Sequence, residues 1–169
     1  MTIDPARPAA LVRRGGEACL PGDSLTDLLR AILDKGRPCR FRAKGASMSP
    51  FVRDGDIVTV SPVAAGRLAT GAVVAFLHPG TGRVAVHRIV GERGGRFLLR
   101  GDNAYAADGA LPRDRVLGVV TEVVRHGRRR KGVTDGWAPV IARLSRTGGL
   151  VRGLVLARRI SGRADRRSP

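Results

Sequence analysis

Three short segments of the chain carry side chains whose types and spacing could do chemistry together. The first is Lys44-Gly-Ala-Ser47-Met-Ser-Pro50. A serine in a tight turn flanked by Gly and Ala, ahead of an apolar strand, presents its hydroxyl with little steric cover. Small neighbours also leave backbone N–H groups open as donors to an oxyanion. The bland reading is a plain turn serine, because Gly-Ala-Ser is ordinary loop text. Ser49 offers the same hydroxyl, but Pro50 follows it and removes one N–H donor. The second segment is Val84-Ala-Val-His87-Arg-Ile-Val90. A polar ring in an alternating apolar strand needs a partner. Facing a serine, His87 would be a general base; otherwise it is a satisfied structural histidine. His78, before Pro79-Gly80, reads as a solvent-exposed turn residue, and His126 as a surface residue beside a basic run. The third segment is Arg100-Gly-Asp102-Asn103 followed by Ala-Tyr-Ala-Ala-Asp108. An aspartate in such a loop commonly bonds its own backbone, which is the competing reading for Asp102. Asp108 lies further along a small-residue stretch, from which it can reach across and orient a histidine.

These segments need a scaffold, and the periodicity supplies one. Residues 1–22, rich in Pro, Gly and Ala, predict a flexible leader. Asp23 or Ser24 can cap a helix over 23–38 with Leu25, Leu28, Leu29, Ile32 and Leu33 on one face, stopped by Gly36-Arg37-Pro38. From Cys39 the pattern shortens. Arg40–Ala43, Asp56–Val60, Ala72–Leu77, Val84–Val90, Phe97–Arg100 and Val116–Val124 read as strands, with a turn at Gly94-Gly95. The expected architecture is a compact, mostly β body over 39–124 with one N-terminal helix. A basic, partly helical extension follows over 125–169, its helices near Trp137–Leu144 and Leu150–Ile160.

Composition narrows the function classes. The chain has 169 residues, 43% of them hydrophobic and only 4% aromatic, so the core must be aliphatic. Lys and Arg number 31 against 14 acidic residues, a formal +17. The excess is uneven: 18 basic and 12 acidic residues lie before position 125, and 13 and 2 from there on. Such a balance favours polyanions. Cys19 and Cys39 have no CxxC spacing, which disfavours a disulfide scaffold or a cysteine-rich zinc site. No cofactor or metal is implied. No apolar run approaches the ~20 residues of a spanning helix, and the N-terminus does not read as a secretory signal. The expected location is therefore the cytoplasm.

In their order the motifs resemble the type I signal peptidase family, which shares its catalytic fold with LexA-like self-cleaving repressors. The matching text is Gly45-Ala-Ser47-Met48-Ser-Pro50, Gly55-Asp56-Ile-Val, Gly71-Ala-Val-Val-Ala-Phe76, Val86-His87-Arg88-Ile89-Val90, Gly101-Asp102-Asn103 with Asp108, and Val116-Leu-Gly118-Val-Val. The resemblance covers about residues 40–124 and implies a Ser/His/Asp endopeptidase. Ser47 matches the nucleophile. His87 stands at the base position, where many members carry lysine, so the chain looks like the histidine-type, archaeal and endoplasmic-reticulum-like branch. Asp108 matches the acid supporting the histidine, and Asp102 a second acidic position with a structural or supporting role, beside Asn103 and Met48. Gly45 stands where lysine-type members carry a side-chain hydroxyl, so the oxyanion hole must rely on backbone N–H groups or on Ser49.

The resemblance also implies a polypeptide substrate held as an added β-strand. Without the family's usual membrane helix, the expected substrate is a leader-like peptide, a partner protein or the chain itself. The alternative is a LexA-like self-cleaving or non-catalytic regulator with a basic nucleic-acid-binding arm. The lack of a base lysine and of a legible helix-turn-helix disfavours it. In the extension, Leu150, Val151, Leu154, Val155 and Ile160 flanked by arginines suit an anionic membrane surface at the inner face. Nucleic acid is the weaker partner, since Arg128–Lys131 lacks an aromatic platform.

Overall fold

The computed structural model describes residues 12–14, 17–19, 22–63, 68–130 and 138–146. The amphipathic stripe near the N-terminus forms α1, Gly22–Asp34. Leu29 and Leu33 bury fully or nearly so, while Leu28 stays half in solvent. The helix ends in a Schellman closure: Gly36 N–H reaches Leu33 O at 2.9 Å and Arg37 N–H reaches Ile32 O at 3.1 Å. Gly36 takes the φ of +72° that this closure requires. Within the stretch expected as a leader, β1 (Val12–Arg14) pairs antiparallel with β2 (Glu17–Cys19).

The body is one antiparallel sheet. Its strands are β3 (Cys39–Arg42), β4 (Ile57–Ser61), β5 (Val73–Leu77), β6 (Val84–Arg93), β7 (Arg96–Arg100), β8 (Gly109–Pro112), β9 (Val116–Arg125) and β10 (Arg128–Arg129). The spatial order is β3-β4-β9-β5-β6-β7-β8, with β10 paired to β9. The apolar run read as a buried strand is β5, flanked by β6 and β9 and buried at every residue. Strands β8 and β10 were not legible beforehand: Gly109 and Pro112 break the pattern of one, and the other is two arginines.

Period-two alternation sends side chains to the two faces of this sheet. On one face Leu29 and Leu33 of α1 meet Met48, Val52, Val58, Val60, Val73, Ala75, Val120 and Val123. On the other, Val74, Phe76, Ile89, Phe97, Leu99 and Leu111 form a second cluster. Each Val, Leu, Ile, Met or Phe among them contributes about 1.5–3 kcal/mol when fully withdrawn from water, so a core this poor in aromatics holds through many aliphatic contacts.

The basic extension begins as part of the body. Helix α2, Ala138–Arg146, packs against β6 with Ile141 and Ala142 buried. The second expected helix, Leu150–Ile160, lies outside the described residues. Among the described residues no helix is long and apolar enough to cross a membrane.

Candidate active site

Ser47 sits at the tip of the loop joining β3 to β4. The neck of that loop is closed by two backbone bonds, Ala43 N–H to Asp56 O at 2.8 Å and Gly55 N–H to Ala43 O at 2.9 Å. Two carboxylates brace it from within. Asp54 Oδ1 accepts the Gly45 N–H at 2.8 Å, where Gly45 adopts φ +94°. Asp56 accepts the Arg53 N–H and both Arg125 Nε and Nη2, at 2.8 and 2.7 Å. Arg125 Nη2 also reaches the Pro50 and Phe51 carbonyls. Burial opposes the Asp56 charge but is outweighed by the Arg125 and Arg53 bonds, so its carboxyl is held below the usual range. The Asp56 carboxylate raises Arg125 in turn. Met48, next to the serine, anchors the turn in the core at 4% exposure.

The turn delivers Ser47 Oγ, exposed at the surface, to 3.0 Å from His87 Nε2. His87 is on β6, opposite Val74 of β5, and its side chain is nine-tenths buried. The Phe76 ring stands tilted against the imidazole at 5.6 Å. On the far side, Asp108 Oδ2 lies 2.5 Å from His87 Nδ1. Asp108 precedes β8, and its own N–H is tied to Leu99 O at 3.0 Å. A carboxylate on Nδ1 keeps the proton there and leaves Nε2 free to accept from the serine.

Asp102 is not in that line. It lies on the opposite face of β6, fully buried, where Arg88 Nε and Nη2 grip its two oxygens at 2.9 and 2.8 Å. Arg88 Nη1 also donates to Gly71 O at 2.8 Å, and its guanidinium stands over the Phe51 ring. The Asx-turn reading of Asp102 is thus replaced by a bidentate ion pair. The backbone around it does touch the site. Asn103 N–H donates to Ser47 O at 2.7 Å and Asn103 Nδ2 to Ala46 O at 3.2 Å. Asp102 N–H points at Met48 Sδ, 3.5 Å away. A Cβ on Gly101 would lie 2.6 Å from Ser47 O and 3.1 Å from His87 Nε2, so only glycine lets this segment pass so close.

His78 corrects the sequence reading. Its side chain is not free in solvent: its Nε2 is 3.6 Å from Asp108 Oδ1, and the Phe76 ring stands tilted against both histidine rings. Gly80 N–H donates to His78 Nδ1 at 3.2 Å, which leaves the proton of a neutral ring on Nε2, facing the carboxylate. Strand parity was the available signal, since Val74, Phe76 and His78 share a side and Val74 pairs with His87. His126 is exposed, as expected. Cys39 is buried, which pushes its thiol up, against the Arg40 backbone bond. Among the described residues no group of three or more His, Cys, Asp or Glu side chains is arranged to hold a metal ion.

Against known proteins, a family model described as Peptidase S24-like matches residues 13–123, from the first hairpin into β9. No curated protein shows significant similarity to the chain.

Proposed function

Since the chain belongs to the Peptidase S24-like family, we propose that it is a serine endopeptidase of the histidine type. Ser47 is its nucleophile, His87 its general base and Asp108 the acid that orients the base. The observation that carries this reading is the unbroken contact from Ser47 Oγ through both ring nitrogens of His87 to Asp108. In the reaction Ser47 Oγ attacks a peptide carbonyl while His87 Nε2 takes its proton. The imidazolium, stabilised by Asp108, then protonates the leaving amine, and water completes hydrolysis by the same route. Among the described residues no acceptor occupies the Ser47 N–H, which makes it the natural first donor to the oxyanion.

The finer assignment is to the histidine-type branch of the type I signal peptidases, acting on a leader-like peptide or a partner protein. Strand β3 ends the sheet and runs into the Ser47 loop, so its outer edge suits a substrate bound as an added strand. The Arg-rich residues beyond α2 suit an anionic membrane surface, which would bring a cytoplasmic enzyme to the inner face. Labelling with a serine-reactive phosphonate, with hydrolysis of a peptide library as readout, tests the assignment. Labelling is expected in the native chain and absent in Ser47→Ala. A native chain that neither labels nor cleaves, or a Ser47→Ala variant that still labels, would overturn it.

A further inference from the structure

We infer that Ser145, on helix α2, is a positioning residue for the Ser47 turn and acts through Asp102. The inference deepens the peptidase reading and rests on it for its kinetic part only. Helix α2 lies beyond residue 123, where the family match ends, so nothing about the matched segment requires it at the site. Yet Ser145 Oγ donates to Asp102 Oδ1 at 2.8 Å, and both side chains are at most 2% exposed. On the apolar face of α2, beside Ile141 and Ala142, this hydroxyl is the group aimed inward at a charge.

The connection onward is short. The carboxylate of Asp102 is held by Arg88 from β6 and Ser145 from α2. Its backbone continues directly into Asn103, whose N–H and side-chain amide hold the Ser47 and Ala46 carbonyls. It follows directly from Gly101, which lies against Ser47 O and His87 Nε2 with no room for a methyl group. Residues 101–103 are therefore one wall of the serine turn, pinned from behind by two groups. Arg88 grips both carboxylate oxygens from β6, and Ser145 ties one of them to a helix that is itself packed on β6 through Ile141 and Ala142. A hydrogen bond to a buried charge is among the stronger ones, and a small displacement of a nucleophile from its base costs turnover steeply.

The test compares Ser145→Ala with Ile141→Ala in the full chain, below the melting midpoint of both. Ile141→Ala removes more buried surface but keeps the hydroxyl. Ser145→Ala is expected to lower kcat about tenfold with KM little changed, the size of one lost bond to a charge. It is also expected to speed hydrogen exchange at the Asn103 amide by a similar factor. Ile141→Ala should lower the melting midpoint further yet move kcat less. If kcat follows the melting midpoints, or Ser145→Ala leaves both kcat and Asn103 exchange unchanged, the role is merely structural and the inference falls. If the native chain has no turnover but Asn103 exchange still rises in Ser145→Ala, the peptidase reading fails and the coupling stands.

Discussion

His87 and Arg88 are neighbours on β6, each paired with an aspartate, and the alternation of the strand sends them to opposite faces. The two pairs differ in what they can do. Arg88 and Asp102 are sealed from water at 0% exposure each, bidentate and capped by Ser145. A guanidinium does not release its proton in a protein, so this pair has one state and serves geometry. His87 and Asp108 keep about a tenth of their side-chain surface open and end on a hydroxyl that reaches solvent. An imidazole carries a nitrogen on each side, one a donor and the other an acceptor, so with Asp108 on one and Ser47 on the other this pair has the geometry to take a proton and give it back. One strand thus presents one partner of a fixed pair that shapes the serine turn and one partner of a pair that, in the proposed reaction, would carry the proton.

The contrast is broken most severely by disabling the His87 side. Asp108→Asn keeps the shape but favours the wrong tautomer of His87, and kcat should fall about 10⁴-fold. Melting midpoint and fold should change little, as thermal denaturation would show. On the fixed side the loss should appear in stability. Asp102→Ala strands a buried guanidinium and should cost about 3–5 kcal/mol, read from urea unfolding. The double change Arg88→Met with Asp102→Leu should recover a large part of that, because an apolar pair is no longer penalised for burial.

Two smaller effects sharpen the comparison. Asp56 has its pKa lowered on folding, so the unfolded chain binds its proton more readily. Its contribution is complete above the unfolded value, about 3.9, and is lost as pH falls through the folded value. Native protein should therefore lose urea stability on acidification below about pH 4. Asp56→Asn should lack this part of the slope. Smallest is His78→Ala. A partly exposed polar contact 3.6 Å long contributes at most about 1 kcal/mol, so kcat should drop by less than about fivefold. No change at all would make Asp108 dependent on His87 alone.

The chemistry-bearing residues were legible because their types and order are unusual together, and the alternation around His87 placed it on a buried strand. Legibility failed where a residue's role depends on what lies across the fold. Arg88 appears in the sequence as the companion of His87, yet period two already implied that it faces away. Asp102 reads as a turn residue until β6 supplies its partner. Ser145 is one serine on the inner stripe of a basic helix, and only the docking of α2 shows what it meets. The strands rich in Val, Ile and Leu were found within a residue or two, apart from the C-terminal end of β6, which runs on to Arg93. Strand β8 was missed because pairing with β7, rather than its own Gly and Pro content, makes it a strand.

That origin of β8 bears on how the protein fails. The strand is four residues long, lies at the end of the sheet and hydrogen-bonds to β7 alone in the strand order. Asp108 is the residue immediately before it. Short edge segments open at free energies well below that of global unfolding. A brief detachment of β8 would release the acid from His87 while the rest of the sheet stays shut. Catalytic competence and foldedness would then be separable quantities. Mild denaturant would silence the molecule at concentrations where its spectrum still reports a native protein.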